Sequence, residues 1–315
     1  MVAELTFREG APSDLSATFE LSEVAMHSAA VRLGVVPPQP QLAPEQVRAD
    51  WRRQRGLIEF IAARPDGRYV ICEGDEGLLG YARVVRFGAM EQLTELMVAP
   101  DHQGRGIGRA LLEQCWPGDP SPELGRIVVA AGAPNDLTLY TEFGVMPVAG
   151  HWHMRARTQD YVPLRTAEVD MVEPGVHVLT PDRAVEEWCR LEPEAVGHDR
   201  PELHEHFARE RTCLALPGDD DRPQALCWVS SDAQIGPAVG ATAGDLVPVI
   251  LAALDRVAKT QEPETLSVFT TSLSWWVVRR LRRLGFVVYW PSWVMCSVPL
   301  PGLDRYVPTR PPQLI

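Results

Sequence analysis

The sequence has no apolar run approaching the length of a bilayer span, and no apolar core follows its first residues as a signal peptide would require. Met-Val-Ala-Glu-Leu-Thr-Phe-Arg leads directly into a strand-like pattern. The six cysteines, at 72, 115, 189, 213, 227 and 296, include no Cys-x-x-Cys pair and lie mostly in apolar or helical runs. That argues against a disulfide frame or a zinc site and suits reduced thiols in the cytoplasm. Positive charge is short as well: 30 Lys and Arg stand against 42 Asp and Glu, a net charge of −12, with no long basic cluster. Neither nucleic acid nor a membrane is an expected partner. A polyanionic ligand would have to be held by a local site.

What is present is a chain of 315 residues, 45% of them hydrophobic, enough for packed cores and long enough for two domains. Its most informative stretch runs from Glu95 to Leu112, an apolar strand passing through a glycine-rich turn into a helix. Gly104, Gly106 and Gly108 fall where backbone must pass close to something that a Cβ would obstruct. The helix opening there points unpaired N–H groups and the positive end of its dipole at the turn. Arg105 and Arg109, one helical turn apart, add charge. A pyrophosphate is the natural guest. The turn lacks the Gly-Lys-Ser/Thr ending of a P-loop.

Gln103-Gly-Arg-Gly-Ile-Gly108, after a strand ending Met97-Val98-Ala99-Pro100, resembles the Gln/Arg-x-x-Gly-x-Gly motif that binds acetyl-CoA in the GCN5-related N-acetyltransferase (GNAT) superfamily. Downstream, Ile127–Ala131 reads as a strand and Asn135–Phe143 as a short helix ended by Gly144, matching the family's Asn-x(4)-Leu/Phe-Tyr-x-x-x-Gly pattern at Asn135, Tyr140 and Gly144. Upstream, Arg68–Glu73 and Leu78–Phe87 are strand-like runs joined by the turn signal Gly74-Asp-Glu-Gly77. The resemblance covers about residues 4 to 155.

The chain also echoes itself. Gly144-Val-Met-Pro-Val-Ala-Gly-His-Trp-His-Met154 aligns without a gap on Gly285-Phe-Val-Val-Tyr-Trp-Pro-Ser-Trp-Val-Met295, each preceded by a strand and a helix. Two tandem GNAT-like domains are expected, at 1–160 and 161–315, in the α/β (α+β) class, each a mixed, mainly antiparallel sheet flanked by helices. The join falls near 156–172. The second copy has Gly236-Pro-Ala-Val-Gly-Ala-Thr-Ala-Gly-Asp-Leu246 in place of the glycine motif, so Asp245 would satisfy the helix start from within and repel an anion. Opposite Tyr140 it has Leu281. This copy reads as degenerate.

The resemblance implies direct transfer of an acetyl group from acetyl-CoA, as co-substrate and with no metal, to an amine acceptor that is a small molecule or a peptide. Met97 and Val98 would bind the acetyl oxygen and pantetheine by their backbones. Gln103, Gly104, Arg105, Gly106, Ile107, Gly108 and Arg109 would hold the pyrophosphate. Tyr140 is the candidate acid that protonates the departing thiolate, against the plainer reading of a core aromatic. Glu95 is the candidate base, against an ion pair with Arg83 or Arg86 on the neighbouring strand. Asn135 suits both a coenzyme A contact and a helix N-cap.

Weaker candidates remain. His151 and His153 share a strand face, but no third metal ligand accompanies them. His198, His204 and His206, among acidic residues and arginine, read as a polar helix face. Trp275, Trp276, Trp290 and Trp293 read as core or as a pocket wall. The prolines at 37–40 interrupt the helical pattern beside the expected acceptor groove, and those of the tail, 299 to 312, read as an extended arm. The expected protein is a cytoplasmic monomer or homodimer. Two rivals stand beside the enzyme reading: an acyl-CoA-binding regulator without turnover, and mycothiol synthase, a tandem relative whose activity lies in the C-terminal copy.

Overall fold

The computed structural model describes residues 5–37, 42–167, 175–218, 220, 222–309 and 315. Prolines 38 and 40, part of the expected join and residues 310–314 of the tail fall outside the described residues. Packing gathers the chain into two units, Met1–Val128 with Ala133–Met146, and Val129–Gly132 with Pro147–Ile315. The expected division at 160 is a different one, because packing counts residues 147–160 with the second unit.

The first unit runs β1 (Thr6–Glu9), α1 (Leu15–Arg32), α2 (Pro44–Ala62), β2 (Arg68–Gly74), β3 (Gly77–Phe87), β4 (Met90–Val98), α3 (Ile107–Cys115), β5 (Gly125–Ala130) and α4 (Pro134–Glu142). The strands lie in the order β1-β2-β3-β4-β5. Neighbours are antiparallel except β5, which runs parallel to β4. Gly74 pairs with Gly77 across the two-residue turn of the β2–β3 hairpin, and Gly77 takes φ +95 as such a turn requires. On α3, Ile107, Leu111, Leu112 and Cys115 recur at helical spacing and are all buried. They settle over β3 at Gly80, where an added Cβ would meet the Met97 carbonyl at 2.8 Å and Leu111 at 3.3 Å. Each leucine or isoleucine so buried contributes about 1.5–3 kcal/mol. Leu15 and Phe19 of α1 and Ile58 of α2 form a cluster with Tyr69, Ile71 and Tyr81 of the sheet.

The second unit follows with β6 (Met146–Arg157), α5 (Thr158–Thr166), β7 (His177–Val178), α6 (Pro181–Leu191), α7 (Pro193–Val196), α8 (Pro201–Glu210), β8 (Arg211–Pro217), β9 (Pro223–Ser230), β10 (Ile235–Gly240), α9 (Leu246–Thr260), β11 (Thr265–Thr271), α10 (Trp275–Arg283), β12 (Val287–Cys296) and β13 (Tyr306–Val307). Strands β13-β10-β9-β8-β7 form an antiparallel sheet, and β6 lies between β12 and β11. Helix α9 buries Leu246, Val249, Ile250, Ala253, Leu254 and Val257 in a core shared with Leu214, Leu216, Cys227 and Ala238. Both units are thus mainly antiparallel sheets flanked by helices, as the resemblance implies, and the first is mixed through its parallel β4–β5 pair. All six cysteines are free thiols, five of them buried. Among the described residues no helix is long and apolar enough to cross a membrane.

Candidate functional site

The site begins with an irregularity in β4. Arg83 pairs with Glu95 but Val84 pairs with Leu93, which leaves Thr94 as an extra residue, a β-bulge. The Thr94 hydroxyl donates to the Arg83 carbonyl at 3.1 Å and fixes it. The parallel register with β5 ends at Leu93↔Val128, one residue before that bulge, although β4 continues to Val98. A bulge bends its strand and increases the twist, so the second half of β4 turns away and offers an open edge. Backbone groups alternate sides along a strand. The Met97 carbonyl faces Gly80 and the Ala99 N–H donates to the Leu79 carbonyl at 2.8 Å, so Met97 is turned to β3. On this geometry the donors facing the open side are those of Val98 and Leu96.

The turn that follows is open as well. Gly104 and Gly106 adopt φ +74 and +86, and nothing stands within 4 Å of the position a Cβ would take on either. Gly106 is the N-cap of α3, and no side chain caps the helix. Its first helical bond is Ala110 N–H to the Gly106 carbonyl at 3.0 Å, so the amides ahead of it, Ile107 to Arg109, point into the turn. Gln103 reaches back and donates to the Val98 carbonyl at 3.0 Å, tying turn to strand. Arg105 is exposed at the turn, whereas Arg109 is paired with Glu142 of α4. Arg105 and the backbone are therefore the cationic and donor groups left for an anion.

Helix α4 closes the site. A Cβ on Gly108 would sit 3.7 Å from Leu139, 3.9 Å from Leu96 and 3.9 Å from Val98, so the start of α3, the middle of α4 and the open edge of β4 converge there. The N-cap of α4 is Ala133, with Pro134 at the first helical position. Asn135 is therefore the second helical residue and exposed, not the N-cap the sequence suggested. Tyr140 is buried. Burial raises its pKa, with the neighbouring Asp136 adding to the effect, so the phenol keeps its proton throughout the physiological range. Gly144 at φ +80 ends the helix: its N–H donates to the Thr141 carbonyl at 3.2 Å and that of Val145 to Tyr140 at 3.4 Å, a Schellman motif.

Glu95 is fully engaged. Tyr81 donates to Oε1 at 2.9 Å and the guanidinium of Arg83 bonds Oε2. Arg83 is buried and lies over the Tyr69 ring at 4.4 Å. The ion pair weighed against the base role is thus present. Sequence reasoning missed Tyr81. The alternation along β3 and β4, which sets Tyr81 and Arg83 on the strand facing Glu95, was the available signal.

The second unit repeats the frame without the site. Gly285 at φ +84 ends α10 by the same two bonds, Gly285 N–H to Arg282 and Phe286 N–H to Leu281. Asp245 is the N-cap residue of α9, but its carboxylate bonds backward to the Thr242 amide (2.9 Å) and hydroxyl (2.7 Å) instead of capping the helix. His151 is buried, bonded to Ser292 at 2.9 Å and stacked on Phe269, as is His153. His198, His204 and His206 are buried too, which overturns the polar-face reading. His204 bonds Glu192 at 2.6 Å and accepts from the Trp228 indole at 3.3 Å, while Arg200 holds Glu192 and donates to the Tyr306 hydroxyl at 2.7 Å. Trp275, Trp276 and Trp293 are exposed rather than core.

The sequence matches the acetyltransferase (GNAT) domain family over residues 65–144. No curated protein matches it. Among solved structures, a putative acetyltransferase from Pyrococcus horikoshii is similar with TM-score 0.66 at 15% identity, over 96% of this chain and 92% of that one. The tandem GNAT protein of the clavulanic acid biosynthesis pathway gives 0.53 at 18% identity, over 94% and 99%. A GCN5-related N-acetyltransferase from Sphaerobacter thermophilus gives 0.53 at 17%, over 93% and 95%. At such identities the likeness is one of fold, and the domain match carries the assignment of the first half. The bulged strand, the uncapped glycine turn and the tyrosine-bearing helix all fall within the segment that matches the acetyltransferase (GNAT) domain family.

Proposed function

We propose that the first unit transfers the acetyl group of acetyl-CoA directly to an amine acceptor, a small molecule or a peptide, and that the second unit binds no cofactor. The observation that carries this reading is the convergence at Gly108 of the α3 start, α4 and the open edge of β4. The residues fit the co-substrate. The amides of Ile107 to Arg109, the open turn at Gly104 and Gly106, and exposed Arg105 suit a pyrophosphate. Gln103 braces the turn and Arg109 braces α4. Val98 and Leu96 present N–H groups to a thioester carbonyl and pantetheine, with Met97 holding the strand to β3. Asn135, exposed at the start of α4, suits a contact to the coenzyme.

Tyr140 then serves the leaving group. A phenol in a buried site donates a hydrogen bond to sulfur as thiolate charge develops, and passes its proton when the C–S bond breaks. Glu95, with Arg83 and Tyr81, keeps the open half of β4 rigid. Free thiols throughout the chain suit a cytoplasmic setting.

Calorimetric titration with acetyl-CoA, beside the variant Gly106→Asp, tests the reading. We expect one equivalent bound by the natural chain and none by the variant, whose carboxylate would occupy the phosphate position in a φ that disfavours any side chain. No binding to the natural chain overturns it. Two equivalents overturn the assignment of the second unit.

A further inference from the structure

The proposed transfer needs a group to take a proton from the acceptor, and the identity of that group matters only if the transfer itself occurs. An alkylammonium with a pKa of about 10 arrives charged and cannot attack until it is neutral. Glu95 is poorly suited, since both its oxygens receive donors and its charge is committed to Arg83. The first unit holds another carboxylate beside Tyr140. Asp136 lies one helical turn before Tyr140 on α4, a spacing that places the two side chains on one face.

Asp136 is half-buried, and among the described residues no cation pairs with it by contact. From its own helix the amide of Ala133, at the N-cap, faces it, a single neutral donor for two oxygens. Arg32, at the end of α1, attracts its charge without touching it, and that guanidinium is bonded to Ser28 at 2.9 Å. From α3, Arg109 faces α4 but is occupied by Glu142. Asp136 is thus a carboxylate one helical turn from Tyr140 with no cation in contact among the described residues.

We propose that Asp136 is the catalytic base that takes the proton from the acceptor ammonium. The ammonium N–H bond breaks and its proton passes to the Asp136 carboxylate, leaving a neutral amine. The nitrogen lone pair forms the C–N bond to the acetyl carbon and the C–S bond breaks with its electron pair on sulfur. Tyr140 gives its proton to the thiolate and regains one from the nitrogen as the amide forms. Asp136 releases its proton to solvent. Burial supports the role, because it raises the carboxyl pKa above the ordinary aspartate value, with the attraction of Arg32 and the Ala133 amide opposing.

The test uses the full chain with acetyl-CoA and ethanolamine or n-butylamine as probe acceptors, thiol release being followed across pH. Asp136→Asn should lower kcat/KM about 100-fold and move the acid limb of the profile up toward the pKa of the acceptor amine, with acetyl-CoA affinity kept. Glu95→Gln should keep the acid limb. In parallel, carbon-detected NMR of the Asp136 carboxyl in the acetyl-CoA complex should show it titrating above the ordinary aspartate pKa. Transfer that survives Asp136→Asn with its acid limb intact overturns the inference and leaves the acetyltransferase reading standing. A carboxyl titrating at or below the ordinary value overturns the inference whether or not either amine reacts. Absence of acetyl-CoA binding overturns both.

Discussion

Tyr140 and Leu281 stand at equivalent places, each the residue whose carbonyl accepts from the N–H just after the glycine that ends its helix. One is a phenol and the other an aliphatic side chain, so only the first copy offers a polar group at this position. Replacing Tyr140 with Phe should lower kcat about 100-fold while the acetyl-CoA Kd changes by less than about twofold, as steady-state kinetics and calorimetry would show. An acyl-CoA sensor would be indifferent to the change. In the second unit, titratable groups serve stability. Burial alone would raise the Glu192 carboxyl, but Arg200 and His204 outweigh it and hold it below the usual carboxylate range. Glu192→Gln would leave Arg200 buried without its counterion, and urea unfolding should report a loss of about 3–5 kcal/mol. His151 is driven by burial, with His153 assisting, down to about 3. Between about pH 6.5 and that value the unfolded chain binds a proton that the folded chain refuses. Stability from this group is therefore complete above pH 6.5 and falls as pH drops, by up to about 1.4 kcal/mol per unit. His151→Asn should flatten the acid side of a stability–pH profile; an unchanged slope would assign it to other groups.

At the scale of elements, the legible parts of this chain are those written in neighbouring residues. The β2–β3 hairpin follows from Gly74-Asp-Glu-Gly77, and the two helix ends from Gly144 and Gly285. The strand, turn and helix from Met90 to Cys115 follow from an apolar run, a glycine spacing and a 3.6-residue period. What escaped depends on partners far along the chain. Helix α8 reads as polar, yet His204 finds Glu192 and Trp228, and Arg200 finds Tyr306. The bulge at Thr94 is a matter of register between strands, which the composition of β4 does not declare. The helix ends allow a graded prediction. Gly285→Ala meets only Leu164 at 3.4 Å and should cost about 1–2 kcal/mol, the penalty of a left-handed backbone. Gly144→Ala would add a Cβ 2.6 Å from the Pro120 ring and should cost clearly more in the same denaturation experiment.

For the molecule as a whole, two copies of one frame and a net charge of −12 set the problem of where a polyanion can bind. Long-range repulsion is the same for both copies and is screened by salt over about 10 Å. Local structure must decide. In the first copy the helix start is uncapped, two glycines hold the turn open and Arg105 is exposed at its rim. In the second, Gly244 is the one glycine in the turn between β10 and α9, so the glycine spacing is lost, and Asp245 puts a negative charge where the helix dipole is positive. We propose that this charge and the lost glycine spacing together exclude an anion there. Asp245→Asn removes only the first, so it should leave acetyl-CoA binding at one equivalent, measured by the same titration that places the site at Gly106. A second equivalent would mean that the aspartate alone closes the site and that the lost glycine spacing is incidental.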